Sequence, residues 1–214
     1  VPDGYIVFGS FLGAAGRNGI YFAHPRDTTA PPIEVTGLSD ALAYIPIVML
    51  VDSAGQEPNR VAEMLGLASY FGHLLSCLQL ARRKGHKLIT VATGQAVGGA
   101  FLCYGMFADR IYALESARVG LMPIAAMSAV TKLPAPVLEK LSKTMPSLEF
   151  GAEPFALLGG VEEVWSANDD VQAKLANAIA SSSTEDNRAE LGKKRGGRKL
   201  SLDIRQRVLA ESAR

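Results

Sequence analysis

Hydrophobic positions recur along this 214-residue chain in two alternating patterns. Short runs rich in Ile, Val and Thr, such as Leu88–Thr93, are typical of buried strands. Longer stretches such as Val61–Arg83 place apolar residues about every 3.6 positions, which predicts helices that bury one face. Strand, turn and helix follow one another without an internal repeat, so the pattern predicts an α/β fold.

The pattern divides the chain into a main domain, residues 1–183, and a helical C-terminal extension, residues 184–214. Gly94 is expected to end the central strand, and Asn168 is expected to cap the helix that begins at Val171. The predicted strands are Tyr5–Ser10, Ile20–Ala23, Ile47–Val51, Leu88–Thr93, Asp109–Ala113, Arg118–Leu121 and Val161–Trp165. The predicted helices are Asp40–Tyr44, Val61–Arg83, Phe101–Ala108, Pro123–Thr131, Ala135–Thr144, Glu153–Leu158, Val171–Ser181, Glu185–Leu191 and Leu202–Ala213.

Charge and composition argue against nucleic acid and membrane as partners. Lys and Arg number 22 against 21 Asp and Glu, so no global field favours an anionic surface. No apolar run approaches the roughly 20 residues that span a bilayer, and residues 1–15 lack the features of a signal peptide. We therefore expect a cytoplasmic location. Cys77 and Cys103 fall in apolar helical stretches and are expected to be free and buried.

Two glycines, Gly98 and Gly99, fall where the central strand turns into a helix. The first N–H groups of a helix have no intrahelical partner and lie at the positive end of its dipole, so they can receive an anionic oxygen. The competing interpretation is that glycines at a helix start serve only close packing.

The loop Asp52–Asn59 follows a strand, at the end where open α/β sheets bind ligands. Two interpretations stay open: the loop lines the same cleft, or it is a simple glycine turn with a capping Asp. No His stands in a motif that would make Ser53 a nucleophile, and His24, His73 and His86 show no metal-ligand spacing. The basic run in the extension predicts either a solvated tail or a dock for an acidic partner or a phosphate-bearing arm. Its members are Lys193, Lys194, Arg195, Arg198 and Lys199.

Several motifs resemble the crotonase-like superfamily, and within its carboxyltransferase branch the gamma subunit of biotin-independent malonate decarboxylase. The superfamily features are the Gly-Gly turn, the Asp109–Ala113 strand and the Val119–Pro123 turn. The more specific matches are LVDSAGQ (50–56), LARRKGHKL (80–88), GMFADRIYAL (105–114), AVTKLP (129–134) and LGKKRGGRKLSLDI (191–204). Residues 1–44 match weakly. The resemblance implies a spiral of ββα units with a helical C-terminal extension.

The resemblance also implies a site built from backbone groups. In carboxyltransferases the residues matching Gly99 and Ala100 donate N–H bonds to an enolate or carbonyl oxygen, with Gly98, Val97, Gly55 and Gln56 expected around the substrate. The two glutamates of a crotonase-type hydratase would stand at about Cys103 and at Ile124, and neither is a carboxylate. Acid-base chemistry of that type therefore lacks its groups, whereas oxyanion stabilisation needs no side chain.

The activity that the resemblance implies is decarboxylation of a malonyl thioester carried by an acyl carrier protein. The implied partners are a homologous beta subunit, the acyl carrier protein and an acyl carrier transferase subunit. The carrier would supply a phosphoribosyl-dephospho-CoA arm, with no biotin, metal or nucleotide on this chain. Two alternatives remain open: a carboxyltransferase subunit of a biotin-dependent enzyme, and a non-catalytic assembly subunit.

Overall fold

A computed structural model describes residues 6–12, 18–23, 46–55, 60–183, 185–197 and 200–212. Its strands are β1 (Ile6–Leu12), β2 (Asn18–Ala23), β3 (Ile47–Ser53), β4 (Leu88–Val97), β5 (Arg110–Leu114), β6 (Arg118–Gly120) and β7 (Glu163–Trp165). Its helices are α1 (Arg60–Met64), α2 (Leu67–Arg83), α3 (Gly98–Tyr104), α4 (Ile124–Thr131), α5 (Ala135–Ser142), α6 (Ala152–Leu157), α7 (Val171–Ser181), α8 (Arg188–Lys194) and α9 (Ser201–Ser212). The predicted helix Asp40–Tyr44 lies outside the described residues.

The described strands form one sheet in the order β2-β1-β3-β4-β5-β7, with β6 beside the second half of β4. β1 and β2 pair antiparallel, and the other described pairs are parallel. The predicted α/β class is therefore confirmed. β4 pairs with β5 through its first residues and with β6 through its last, so the sheet changes neighbour at the point where β4 approaches α3.

Both faces of the parallel strands are buried. On one face Val51 packs in a cluster with Leu78 of α2 and Phe101 of α3. On the other face Val48 packs in a cluster with Ile179 of α7. Burial on both sides explains why these strands appear in the sequence as continuous apolar runs rather than as alternating patterns.

The prediction that Gly94 ends the central strand is wrong, because β4 continues to Val97. The carboxylate of Asp52 occupies the position that a Cβ of Gly94 would take. The backbone N–H of Gln95 donates to Asp52 Oδ1 at 2.8 Å, and the residues beyond Gly94 pair with β6. Gly94 therefore makes room for a neighbouring side chain within the strand and does not terminate it.

The predicted helix Val61–Arg83 is two helices, α1 and α2. Gly66 separates them in the left-handed conformation, with φ of 81°, which favours glycine. The apolar stripe that predicted one helix does not face the core along its whole length, since Val61 is 62% and Met64 is 75% exposed. Only the C-terminal part of α2 is buried, at Leu78, Ala81 and Arg82.

Two smaller expectations are also corrected. The helix α7 is capped by Asp170, whose Oδ1 accepts from the N–H of Ala173 at 3.0 Å, and not by Asn168. Both cysteines are free as expected, but Cys77 is exposed and Cys103 only half-buried. In the part of the chain that the structure describes, no helix is both long enough and apolar enough to cross a membrane.

Arginine side chains connect the extension to the main domain. Arg188 of α8 donates from Nη1 to the carbonyl oxygen of Phe107 at 3.1 Å, and its guanidinium lies 4.8 Å from the centre of the Phe107 ring. Arg195 donates from Nε to the carbonyl oxygen of Gly159 at 3.0 Å. Its side chain is only 17% exposed, so this member of the basic run is not part of a solvated tail. The division at residue 183 stays a prediction.

Candidate functional site

The turn between β4 and α3 is built from Val97, Gly98 and Gly99. Val97 is extended, with φ of −127° and ψ of 148°, and Gly98 takes a φ of 71°, a left-handed value that favours glycine. Valine has no polar side-chain atom, and no side chain caps the start of α3. The N–H groups of the first helical turn, which includes Gly99 and Ala100, are therefore not capped from the side and lie at the positive end of α3.

The loop after β3 lies directly against this turn. A Cβ built on Gly55 would come within 3.0 Å of the Val97 carbonyl oxygen and 3.6 Å of the Gly98 Cα. Gly55 has a φ of 94°, and its N–H donates to Ser53 Oγ at 3.2 Å. The small size and left-handed conformation of Gly55 thus allow the two loops to meet at the C-terminal edge of the sheet.

A cleft of about 450 Å³ opens beside the turn. Val97 and Ala54 line it on the side of the two loops, and Ile124 lines it at the start of α4. The charged residues of its wall are Arg118 and Glu149. The remaining lining residues are Gln95, Pro123, Ser142, Leu148 and Phe150.

The structure brings together five of the six residues expected at the site from the sequence. Val97, Gly98, Gly99 and Ala100 form the turn and the first residues of α3, and Gly55 lies against them. Gln56 lies outside the described residues.

The two positions that would hold hydratase carboxylates differ in their location. Ile124 lines the cleft, so an apolar side chain stands where a second glutamate would face the substrate. Cys103 lies in α3 and is half-buried. Neither supplies a carboxylate to the cleft.

Sequence reasoning missed much of the cleft wall, including Arg118, Glu149 and Phe150. Arg118 immediately precedes the Val119–Pro123 turn, and this position was the available signal for it. Phe150 and Glu149 are about 30 positions away along the chain, and only the packing of Phe150 on Gly120 brings them to the cleft. A Cβ on Gly120 would come within 2.6 Å of the Phe150 ring.

Together, the parallel sheet and the backbone turn beside a cleft define an α/β protein whose candidate site lies where a strand turns into a helix. The chain matches the family described as malonate decarboxylase gamma subunit, MdcE, over residues 34–212. It therefore belongs to the malonate decarboxylase gamma subunit family.

Similarity to individual proteins is consistent with membership of this family. The malonyl-S-ACP:biotin-protein carboxyltransferase MADD of Malonomonas rubra is 36% identical over 179 residues, which cover 77% of this chain and 60% of the relative. The chain thus spans about three fifths of that relative's length. The crystal structure of a Pseudomonas malonate decarboxylase hetero-tetramer in complex with coenzyme A is similar with a TM-score of 0.67 and 25% identity, covering 79% of this chain and 68% of that one.

A second solved structure shares the fold. The Pseudomonas malonate decarboxylase MdcD-MdcE hetero-dimer has a TM-score of 0.60 and 23% identity, and the alignment covers 79% of this chain and 67% of that chain.

Proposed function

We propose that this chain is a subunit of a malonyl-thioester decarboxylase in which the N–H groups of Gly99 and Ala100 stabilise an enolate. The observation that carries the proposal is the start of α3, which no side chain caps and which directly follows Val97 on the wall of a cleft. The family to which the chain belongs supports the same chemistry.

The chemistry explains why the substrate is a thioester. Loss of CO2 from free malonate leaves a carbanion beside a carboxylate, which cannot accept the charge. In a malonyl thioester the electron pair of the broken C–C bond moves onto the carbonyl oxygen as an enolate, which is then protonated to the acetyl thioester. Preorganised N–H donors stabilise that oxygen as its charge develops, by roughly 3 to 4 kcal/mol for each donor.

The cleft favours this chemistry over hydration or isomerisation. Those reactions move protons with positioned carboxylates, and Ile124 lines the cleft where one would be needed. Glu149 does line the cleft, but from a segment that resembles neither hydratase position.

The proposed partners are a homologous beta subunit, an acyl carrier protein with a phosphoribosyl-dephospho-CoA arm, and an acyl carrier transferase subunit. The similar Pseudomonas structures are a hetero-tetramer and an MdcD-MdcE hetero-dimer, which supports a heteromer here. The beta subunit would supply a second oxyanion hole. We expect the chain alone to show little or no turnover, because the second oxyanion hole would be missing without the beta subunit.

A second candidate function is transfer of the carboxyl group to biotin on a carrier protein. The name of the 36% identical Malonomonas relative favours it, since that protein is a biotin-protein carboxyltransferase. A third candidate function is a purely structural role in assembly of the heteromer. Substitution of Gly99 tests this role.

The deciding assay measures CO2 release from malonyl-carrier by the chain alone, by the assembled heteromer, and by the heteromer with avidin. If the function is decarboxylation, the heteromer releases CO2 and avidin does not reduce the rate. Activity that depends on a biotinylated acceptor and disappears with avidin would establish the carboxyltransferase instead. Full turnover by the isolated chain would exclude the need for a second hole.

A further inference from the structure

Arg118 places a positive charge on the wall of the cleft next to the glycine turn. It begins β6 and pairs in register with Gln95, two residues before Val97, and all three residues line the cleft. Among the described residues that line the cleft, Arg118 is the only cation. Glu149 also lines the cleft, yet no ion pair joins Arg118 to any carboxylate of the described chain.

The guanidinium of Arg118 is held by an aromatic ring and not by a counter-ion. Its Cζ lies 5.8 Å from the centre of the Phe150 ring, within the range of a cation–π contact. Phe150 itself is fixed, because its ring packs on Gly120 and the adjacent Gly151 N–H donates to the Val119 carbonyl oxygen at 2.9 Å. The contact orients the guanidinium and leaves its charge uncompensated.

The rest of the cleft offers little to an anion. Besides Arg118 and Glu149, its lining consists mainly of apolar residues with Gln95 and Ser142. A planar guanidinium can donate two parallel hydrogen bonds to one carboxylate, and such charge-assisted pairs are stronger than neutral ones. Arg118 thus shares the cleft wall with Val97, which directly precedes the helix turn that carries the proposed Gly99 and Ala100 donors. This arrangement matches an acyl group that has a carbonyl oxygen and a free carboxylate.

We propose that Arg118 is the specificity residue of the cleft and binds the free carboxylate of a dicarboxylic acyl group. This inference rests on the proposed function, since it takes the glycine turn as the site of the thioester oxygen. Binding of the carboxylate before it leaves stabilises the bound substrate and not the transition state. Arg118 therefore selects malonyl over acetyl groups, and its loss raises KM without lowering kcat.

The test uses two unreactive thioethers of pantetheine, one with a carboxyethyl and one with a propyl group on sulfur. They differ only in the terminal carboxylate, and they lack both phosphate and a thioester oxygen. Binding to the full chain is measured by NMR titration or calorimetry for the wild type, Arg118→Gln, Arg118→Lys and Phe150→Leu. Arg83→Gln is the matched control, because Arg83 is exposed at the end of α2 and lies away from this cleft.

The wild type and the control should prefer the carboxyethyl compound by roughly tenfold, the size of a hydrogen bond to a charged group. Arg118→Gln should reduce the preference to near one while propyl affinity is unchanged. Arg118→Lys should restore part of the preference, and Phe150→Leu should lower it because the guanidinium loses its support. A preference that survives in Arg118→Gln, or an equal loss for both compounds, would overturn the proposal.

Failure of this inference can be told apart from failure of the proposed function. The thioethers have no thioester oxygen, so their binding does not depend on the Gly99 and Ala100 N–H groups. Normal selectivity in Arg118→Gln combined with a turnover defect in a Gly99 variant would refute the role of Arg118 alone. Comparing coenzyme A thioethers with the pantetheine compounds provides a second check: a loss confined to the former would assign Arg118 to phosphate and reject the carboxylate.

Discussion

The glycine turn between β4 and α3 is formed by close backbone packing, whereas the junction between the main domain and the extension is formed by arginine side chains. At the turn, Gly98 and Gly55 bring backbone close to backbone, and no side chain caps the start of α3. At the junction, two arginines, Arg82 and Arg188, donate to one carbonyl oxygen, that of Phe107, and both lie over its ring. One region leaves the start of a helix without a side-chain cap, and the other uses side-chain hydrogen bonds within the protein.

This difference separates function from stability. If the proposed function is right, a side chain added at the turn would block substrate access to the N–H groups of Gly99 and Ala100. A side chain removed at the junction would leave buried partners without hydrogen bonds, which is costly. Substitutions in the two regions should therefore produce opposite patterns of activity and stability.

The largest effect on stability is expected at Arg82, which is 6% exposed. Its Nε donates to Asp109 Oδ1 at 2.6 Å, and Asp109 Oδ2 accepts from the Leu88 N–H at 2.8 Å. Arg82→Met would leave the Asp109 carboxylate buried without its cation, at a cost of roughly 3 to 5 kcal/mol. Urea unfolding measures this change.

The adjacent Arg83 is exposed and provides the control for Arg82. Arg83→Met should change the free energy of unfolding by less than about 0.5 kcal/mol. If Arg82→Met and Arg83→Met change the free energy of unfolding equally, the buried Arg82–Asp109 pair stabilises the protein no more than an exposed arginine does.

At the turn, Gly99→Val should lower turnover by roughly 10² to 10³, the effect of losing one oxyanion donor. The β-branched side chain would occupy the space through which the thioester oxygen approaches α3. Overpacking should cost the fold only about 1 to 3 kcal/mol. Turnover of malonyl-carrier by the assembled complex is measured together with thermal melting and co-purification of the subunits.

Gly72→Val is the matched control, since a Cβ at Gly72 meets no atom within 4 Å. It should retain turnover. Near-normal rates in a well-assembled Gly99→Val complex would show that the glycines serve packing, and the oxyanion assignment would be abandoned.

Residues of the basic run should have two different roles: Arg195 stabilises the fold, whereas Lys193 and Lys194 do not. Arg195→Ser should destabilise the protein by about 1 to 2 kcal/mol, because the Gly159 carbonyl oxygen and Glu162 lose a half-buried partner. Burial lowers the pKa of this guanidinium, while the charge of Glu162 raises it. Serine at Lys193 and Lys194, which are exposed, should leave stability within about 0.5 kcal/mol.

The same Lys193 and Lys194 substitutions should weaken association with the carrier and flatten its dependence on salt, since exposed charges act through a screened field. Binding measured at several salt concentrations tests this. If the double variant binds like the wild type at every salt concentration, the exposed lysines belong to a solvated tail.

The smallest effect is expected at Asp186, where the hydrogen bonds from the Arg188 side chain lower the carboxyl pKa from 3.8 to about 2. Because the folded pKa is depressed, the pair stabilises the protein above the unfolded value of 3.8 and loses its contribution as pH falls through about 2. The carboxylate is 47% exposed, so screening reduces this contribution below about 1 kcal/mol. Asp186→Asn should flatten the pH dependence of unfolding in that window, and an unchanged slope would exclude the pair as its source.

Local residue pattern determined most of the elements and the turn. An apolar run predicted β3 within two residues because both faces of a parallel strand are buried. The family resemblance predicted β5 within one residue. The resemblance of the motifs predicted a site at Val97–Ala100, where strand meets helix, and Gly55 lies against this turn in the structure. The role of these residues stays a prediction.

Tertiary structure alone decided what single residues do. Gly94 reads as a strand breaker in the sequence, but Asp52 from the neighbouring strand fills its place. Arg82 and Arg195 look like helix-end or tail cations, yet partners 27 and 36 positions away bury them. Arg118 gains its support only from Phe150, across a gap of about 30 residues. Periodicity and propensity describe contacts within one element, whereas charge pairing and close approach depend on segments that only the folded chain brings together.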